Sequence, residues 1–201
     1  MKSLLAILFL AAVLFGAWWL FFKTDDSPGS GPKQESIEVG KHTPAFNESI
    51  ANSVNSYLDM KSAFVEADTF NVKKEAQKFI SMMDNVKLDD LKKEDSQIVM
   101  AAQQEISDIK ANAQAILLEN DISEMRQDFR MVSENLYPFL KTIGYEGEKL
   151  YWQNCPMAFG EGKEANWLSN TTEIINPYLG KHDPQYKASM LNCGEIKDTI
   201  K

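Results

Sequence analysis

A chain of 201 residues with 44% hydrophobic and 25% charged side chains has room for one sizeable core plus appendages, which argues against wholesale disorder and against a second full domain. Its 29 acidic and 21 basic residues give a formal charge of -8. The basic residues interleave with acidic ones and form no stripe, so no nucleic-acid partner is expected.

The first element is apolar. Behind a single charge, Lys2, twenty apolar or small residues run from Ser3 to Phe22, enough at about 1.5 Å per residue to cross a hydrocarbon core of roughly 30 Å. The run is longer than the roughly 7–15 residues of a signal peptide's apolar region. It also ends in Trp18-Trp19-Leu20-Phe21-Phe22, which suits an interfacial aromatic belt. Residues 1–22 therefore read as a transmembrane anchor, with a cleaved signal segment as the alternative, and no cysteine follows to carry a lipid. With Lys2 before the span and Asp25 and Asp26 after it, the expected placement is a single pass through a bacterial inner membrane with the rest of the chain in the periplasm. Residues 23–45, centred on Ser27-Pro28-Gly29-Ser30-Gly31-Pro32, read as a flexible linker that includes His42.

From residue 46 the apolar positions take helical spacing. Phe46, Ile50, Val54, Tyr57, Leu58 and Val65 share one face, behind a start at Thr43-Pro44. A second helix is predicted over about Asn71–Val86, with Val72, Ala76, Phe79, Ile80 and Met83 inward, and a third over about Glu94–Glu119. The fourth opens at Asp121-Ile122-Ser123-Glu124, which resembles a capping box, and holds a stripe from Ile122 to Ile143 until Gly144. Pro138 is expected to kink or shorten it near Leu136. The predicted fold is all-α, an antiparallel four-helix bundle over 46–201 with an irregular C-terminal tail packed back on it, behind the N-terminal membrane anchor. Met82, Met83, Met100, Met125 and Met131 are read as core methionines.

The tail, Leu150–Ile196, holds the chemistry. Cys155-Pro156-Met157 sets a thiol and a thioether two residues apart, and Met190-Leu191-Asn192-Cys193 sets the same pair three apart. Two thiolates and two thioethers form a soft donor set that selects Cu(I) or Ag(I) over hard cations, with zinc a weaker candidate. His182 is a secondary ligand. The bland alternative is a disulfide between Cys155 and Cys193, expected of an exported domain with two cysteines; spacing alone favours it. Trp152 and Trp167 read as aromatics that dock the tail on the bundle, and Asn176-Pro177-Tyr178-Leu179-Gly180 as a turn returning Cys193 to Cys155. No histidine is paired with a nucleophile and there is no phosphate-cradling glycine loop or H-E-x-x-H spacing, so an enzyme is not expected.

Tyr151 to Ala158, Trp167-Leu168-Ser169, Asn176-Pro177-Tyr178 with Gly180, and Met190 to Gly194 together resemble an exported bacterial domain family of unknown function, linked to copper and silver efflux. That family is found alone behind anchor segments and fused to periplasmic adaptor subunits of heavy-metal efflux pumps. The resemblance extends to Tyr57-Leu58, Ala63-Phe64 and Phe129 to Leu140, and so covers roughly 46–200. It implies heavy-metal handling through Cys155, Met157, Met190 and Cys193, with Cu(I) or Ag(I) as cargo and an efflux adaptor as partner, and it favours the metal over the disulfide. The chain departs from the family pattern in a longer insert, Lys181 to Ser189, which holds His182. The rival expectation is a disulfide-stapled helical module that binds another envelope protein without metal.

Overall fold

Thr43 starts the first helix by accepting the Phe46 N–H on its hydroxyl at 3.2 Å, and Pro44 takes a first-turn position where a missing donor costs nothing. The computed structural model describes residues 41–93 and 96–201. Helix α1 spans Pro44–Val65 and buries Phe46, Ile50, Val54, Tyr57, Met60 and Phe64. Asp68 caps α2, Thr69–Asp84, through the Asn71 N–H at 3.0 Å. A 3-10 turn over Leu88–Lys93 buries Leu91 and leads to α3, Ser96–Leu118. Asp121 caps α4, Ile122–Thr142, by accepting the Ser123 N–H at 2.8 Å. Gly144, at φ 62°, turns the chain out of that helix.

Short connections make successive helices antiparallel neighbours, and each packs on the next. An aromatic seam joins the first to the last. Phe129 of α4 lies 4.5 Å from the Phe64 ring and 5.3 Å, nearly parallel, from the Tyr57 ring, both on α1. Each fully buried aromatic or leucine contributes about 1.5–3 kcal/mol of transfer energy, so this seam is a main source of bundle stability.

The tail is not irregular. It contains a three-stranded antiparallel sheet of order β2-β1-β3, built from β1 Leu150–Cys155, β2 Ala165–Ser169 and β3 Glu195–Ile200. The all-α expectation is corrected accordingly: a four-helix bundle carries a small sheet. Five of the six β1 positions are buried, as are four of the five in β2, so neither strand shows the alternation that marks a half-exposed strand. β3 is an exposed edge with only Ile200 buried.

The sheet is fixed to the bundle by polar bonds as well as packing. Leu168 donates its N–H to the Tyr57 hydroxyl at 3.1 Å, Tyr178 donates its hydroxyl to the Asn166 carbonyl, and Asn166 donates its side-chain amide to Glu134 of α4 at 2.8 Å. The edge of β2 that β1 does not pair is thereby satisfied by side chains, which prevents further strand addition there. Trp152 stacks on Tyr137 of α4 at 4.3 Å, and Trp167 is fully buried edge-on to Tyr178.

Further expectations change. The first helix starts at Pro44 behind Thr43 as expected, but the linker read as 23–45 ends earlier, because the His42 ring is docked, stacked on Phe46 at 4.3 Å with Nε2 2.5 Å from the Ile143 carbonyl. Helix α4 continues through Pro138 to Thr142, since Pro138 faces solvent while Leu136, Phe139 and Leu140 anchor both sides. Met100 and Met131 are exposed, at 69% and 39%. Each stands two positions from a core residue, Ile98 or Phe129, which is about 200° around a helix. Met83 and Met125 are buried as expected. The anchor at 1–22 and most of the linker lie outside the described residues, among which no helix is long and apolar enough to cross a membrane.

Candidate functional site

Cys155 is the last residue of β1, opposite Ala165 of β2, and is fully buried. Cys193 stands two residues before β3 and is only half-buried. Their Cα atoms are 5.7 Å apart and the two sulfurs form a disulfide across 38 residues of sequence. The ladder brings them together, since β3 pairs with β1 from Glu195 opposite Asn154 through to Ile200 opposite Leu150, with a bulge between Trp152 and Gln153.

Gly194 makes that approach feasible. At φ 149° it occupies a conformation that other residues rarely adopt, and a Cβ there would lie 2.6 Å from the Asn154 carbonyl oxygen and 3.0 Å from the Trp167 ring. Only a glycine lets the strand leave Cys193 so close to β1 and the indole.

Met157 lies in the turn after β1, where its carbonyl accepts the Gly160 N–H at 3.1 Å. Met190 ends a short 3-10 turn, Ala188–Met190, and its carbonyl accepts the Cys193 N–H at 3.0 Å. Both methionines are half-buried against the same apolar cluster that contains Cys155. His182 is exposed, and among the described residues no three His, Cys, Asp or Glu side chains gather as a metal-holding group. The insert is organised around Asp183 instead, whose carboxylate accepts the N–H groups of Gln185 and Tyr186 at 2.9 and 2.8 Å.

Three buried polar residues near the tail had no sequence signal beyond their helical position or turn propensity. Asn176 is wholly buried at the start of the Asn176–Gly180 turn. Lys61, on α1, has lost most of its contact with water, and burial lowers its ammonium to about 8; its bond is to the Ser169 hydroxyl at 3.2 Å. Arg126 is buried on α4, with desolvation lowering its guanidinium and the charges of Asp183 and Asp121 opposing that shift. Its Nη2 lies 3.0 Å from where a Cβ on Gly180 would be, a point only 2.7 Å from the Val65 carbonyl oxygen. This places the cation beside the carbonyl end of α1, which a helix dipole favours.

Residues 54–147 match the model of a family described as a protein of unknown function (DUF3347). The DUF3347 segment begins midway along α1 and ends just past α4, ahead of β1, so it takes in the helices and leaves the sheet and both cysteines outside. The expected resemblance over 46–200, with the tail as its specific part, is therefore matched over the bundle and not over the sulfur-bearing tail. No curated protein and no solved structure matches the chain. The family description names no metal.

Proposed function

We propose that this chain is a membrane-tethered periplasmic binding domain for a soft metal ion, Cu(I) or Ag(I), serving heavy-metal resistance or delivery to an efflux system. The observation that carries the reading is the convergence of Cys155 and Cys193 at a Cα separation of 5.7 Å, with Met157 and Met190 no more than three residues away and half-buried beside the same core. The metal is cargo. A disulfide sulfur is a poor ligand, so capture belongs to the reduced pair, in which two thiolates supply charge and two thioethers supply soft donors that need no deprotonation.

The test is competition for Cu(I) against a chromophoric chelator, with the full chain reduced and oxidised, alongside Met157→Ala and Met190→Ala. The reduced protein binds one Cu(I) and each variant loses about tenfold in affinity, while the oxidised protein does not compete. Undiminished affinity in both variants overturns the four-sulfur site. A second reading is favoured by the disulfide itself, a stapled helical module that binds another envelope protein without metal. Failure of the reduced wild type to bind Cu(I) leaves that reading alone.

A further inference from the structure

Cys193 is held in place by bonds that do not involve its sulfur. Asn176 is the hub. Its Nδ2 donates to the Cys193 carbonyl at 3.0 Å, and its main-chain N–H donates to the Leu191 carbonyl at 2.8 Å. Its Oδ1 accepts the N–H groups of Tyr178 and Leu179 at 2.8 and 3.1 Å, and its carbonyl accepts the Gly180 N–H at 2.9 Å. Asn192 adds a bond from its side-chain amide to the Ile174 carbonyl at 2.7 Å. On the other side of Cys193, the β1–β3 ladder resumes at Glu195. Both flanks of the cysteine are therefore anchored independently of the S–S bond, and Cys155 is fixed within the central strand.

The two cysteines also differ in exposure, since Cys155 is 0% exposed and Cys193 only half-buried. Thiol–disulfide exchange requires in-line approach of a thiolate to one sulfur, so access selects which is attacked.

We infer that Asn176 is the positioning residue of this site, keeping the two thiols side by side once the disulfide is open, and that a dithiol reductant opens it at Cys193. The inference deepens the metal reading and rests on it for its purpose, because the disulfide then gates the cargo. In the first step a reductant thiolate attacks Cys193 Sγ, the S–S bond breaks, and Cys155 leaves as a thiolate that takes up a proton. In the second the reductant's other thiol attacks the mixed disulfide and releases Cys193, so that the reductant ends as a disulfide and the protein as a dithiol. Because the flanks are anchored by bonds other than the S–S bond, the reduced pair is a preformed chelate with little ordering cost left for the metal to meet.

Asn176→Asp tests the positioning role. It keeps the acceptor that serves the turn and sets a carboxylate oxygen against the Cys193 carbonyl. With the full chain equilibrated in glutathione buffers and its thiols counted by mass after alkylation, the variant's disulfide is at least tenfold less favoured than the wild type's, an upward shift of about 30 mV in potential. An unchanged equilibrium overturns the role. Because that variant can lose stability, the wild type supplies a second measurement. Amide exchange of Leu191 to Ile200 stays within about tenfold between the oxidised and reduced proteins, whereas a hundredfold loss of protection on reduction shows that the disulfide does the positioning. A dithiol oxidoreductase lacking its resolving cysteine is trapped on the Cys193 peptide, and an adduct on Cys155, or none, refutes the direction of attack. None of these readouts contains metal, so a chain that passes them and fails the Cu(I) competition has lost the metal reading alone.

Discussion

The hydroxyl of Tyr57, midway along α1, accepts the main-chain N–H of Leu168 in β2 at 3.1 Å and shares a hydrogen bond of 2.7 Å with the Ser133 hydroxyl of α4. One phenolic oxygen thus connects two helices of the bundle to the sheet. All of these groups are buried, and burial raises the Tyr57 phenol far above its ordinary range, so it stays a neutral donor and acceptor.

Tyr57→Phe keeps the ring stacking on Phe129 and removes only that oxygen. The Leu168 N–H is then left buried without its acceptor, which costs about 1–3 kcal/mol. Urea unfolding checks the loss. A second readout is faster amide exchange at Leu168, with exchange in helices α2 and α3 changing far less.

Lys61 makes the fold's stability depend on alkaline pH. Its ammonium titrates near 8 in the folded chain and near the ordinary 10.5 when unfolded. Between those values the folded form has released a proton that the unfolded form still holds, so stability rises with pH across that window. Below about 8 both forms are charged and the full burial penalty, about 3 kcal/mol for such a shift, is present. Lys61→Met removes the buried charge. The variant is more stable than wild type at pH 7 by about 1–3 kcal/mol, and its advantage shrinks as denaturation is repeated from pH 8 to pH 10.5. A constant difference across that range contradicts the assignment.

Gly180 is required where the tail meets the end of α1. It sits at φ 58°, and a Cβ there would stand 2.7 Å from the Val65 carbonyl oxygen, which accepts the Lys181 N–H at 2.9 Å. Gly180→Ala combines a strained backbone with an overlap against main-chain atoms, and about 2–4 kcal/mol is lost. Thermal unfolding measures it. An alanine at Gly160, which has φ 106° but nothing within 4 Å of its Cβ, meets the backbone strain without the overlap and costs less.

The helices were legible because each must bury one stripe. Val72, Ala76, Phe79, Ile80 and Met83 of α2, and Met125, Phe129, Val132, Leu136 and Leu140 of α4, recur at helical spacing and are all buried. Pro138 looked like a break, but a proline on the solvent side loses a single backbone bond, which the packing of its neighbours outweighs. The sheet was hidden for the opposite reason. β1 and β2, buried on both faces, and β3, with only Ile200 buried, have no alternation to read, and Trp152 and Trp167 looked like isolated anchors when they stand in adjacent strands. The disulfide was legible only as one of two readings of the cysteines, because a chain with two cysteines offers each a single disulfide partner while the neighbouring methionines pointed to a metal. The exposed position of His182 was not, since it depends on how the 181–189 insert folds around Asp183.

What the sequence determined by itself is therefore what repeats along the chain or stands alone in it: four amphipathic helices, with starts at Thr43-Pro44 and Asp121, and one disulfide partner for each cysteine. Local spacing and propensity suffice for these, because they depend on neighbours within a turn or two of helix. Tertiary structure alone decided that Asn176 grips the Cys193 segment, that Tyr57 serves the edge of β2, and that Lys61 is buried against Ser169. Each joins residues far apart in sequence through a single polar atom. Such an atom leaves no periodic trace, and its value arises only once packing has removed the water that would otherwise take its place.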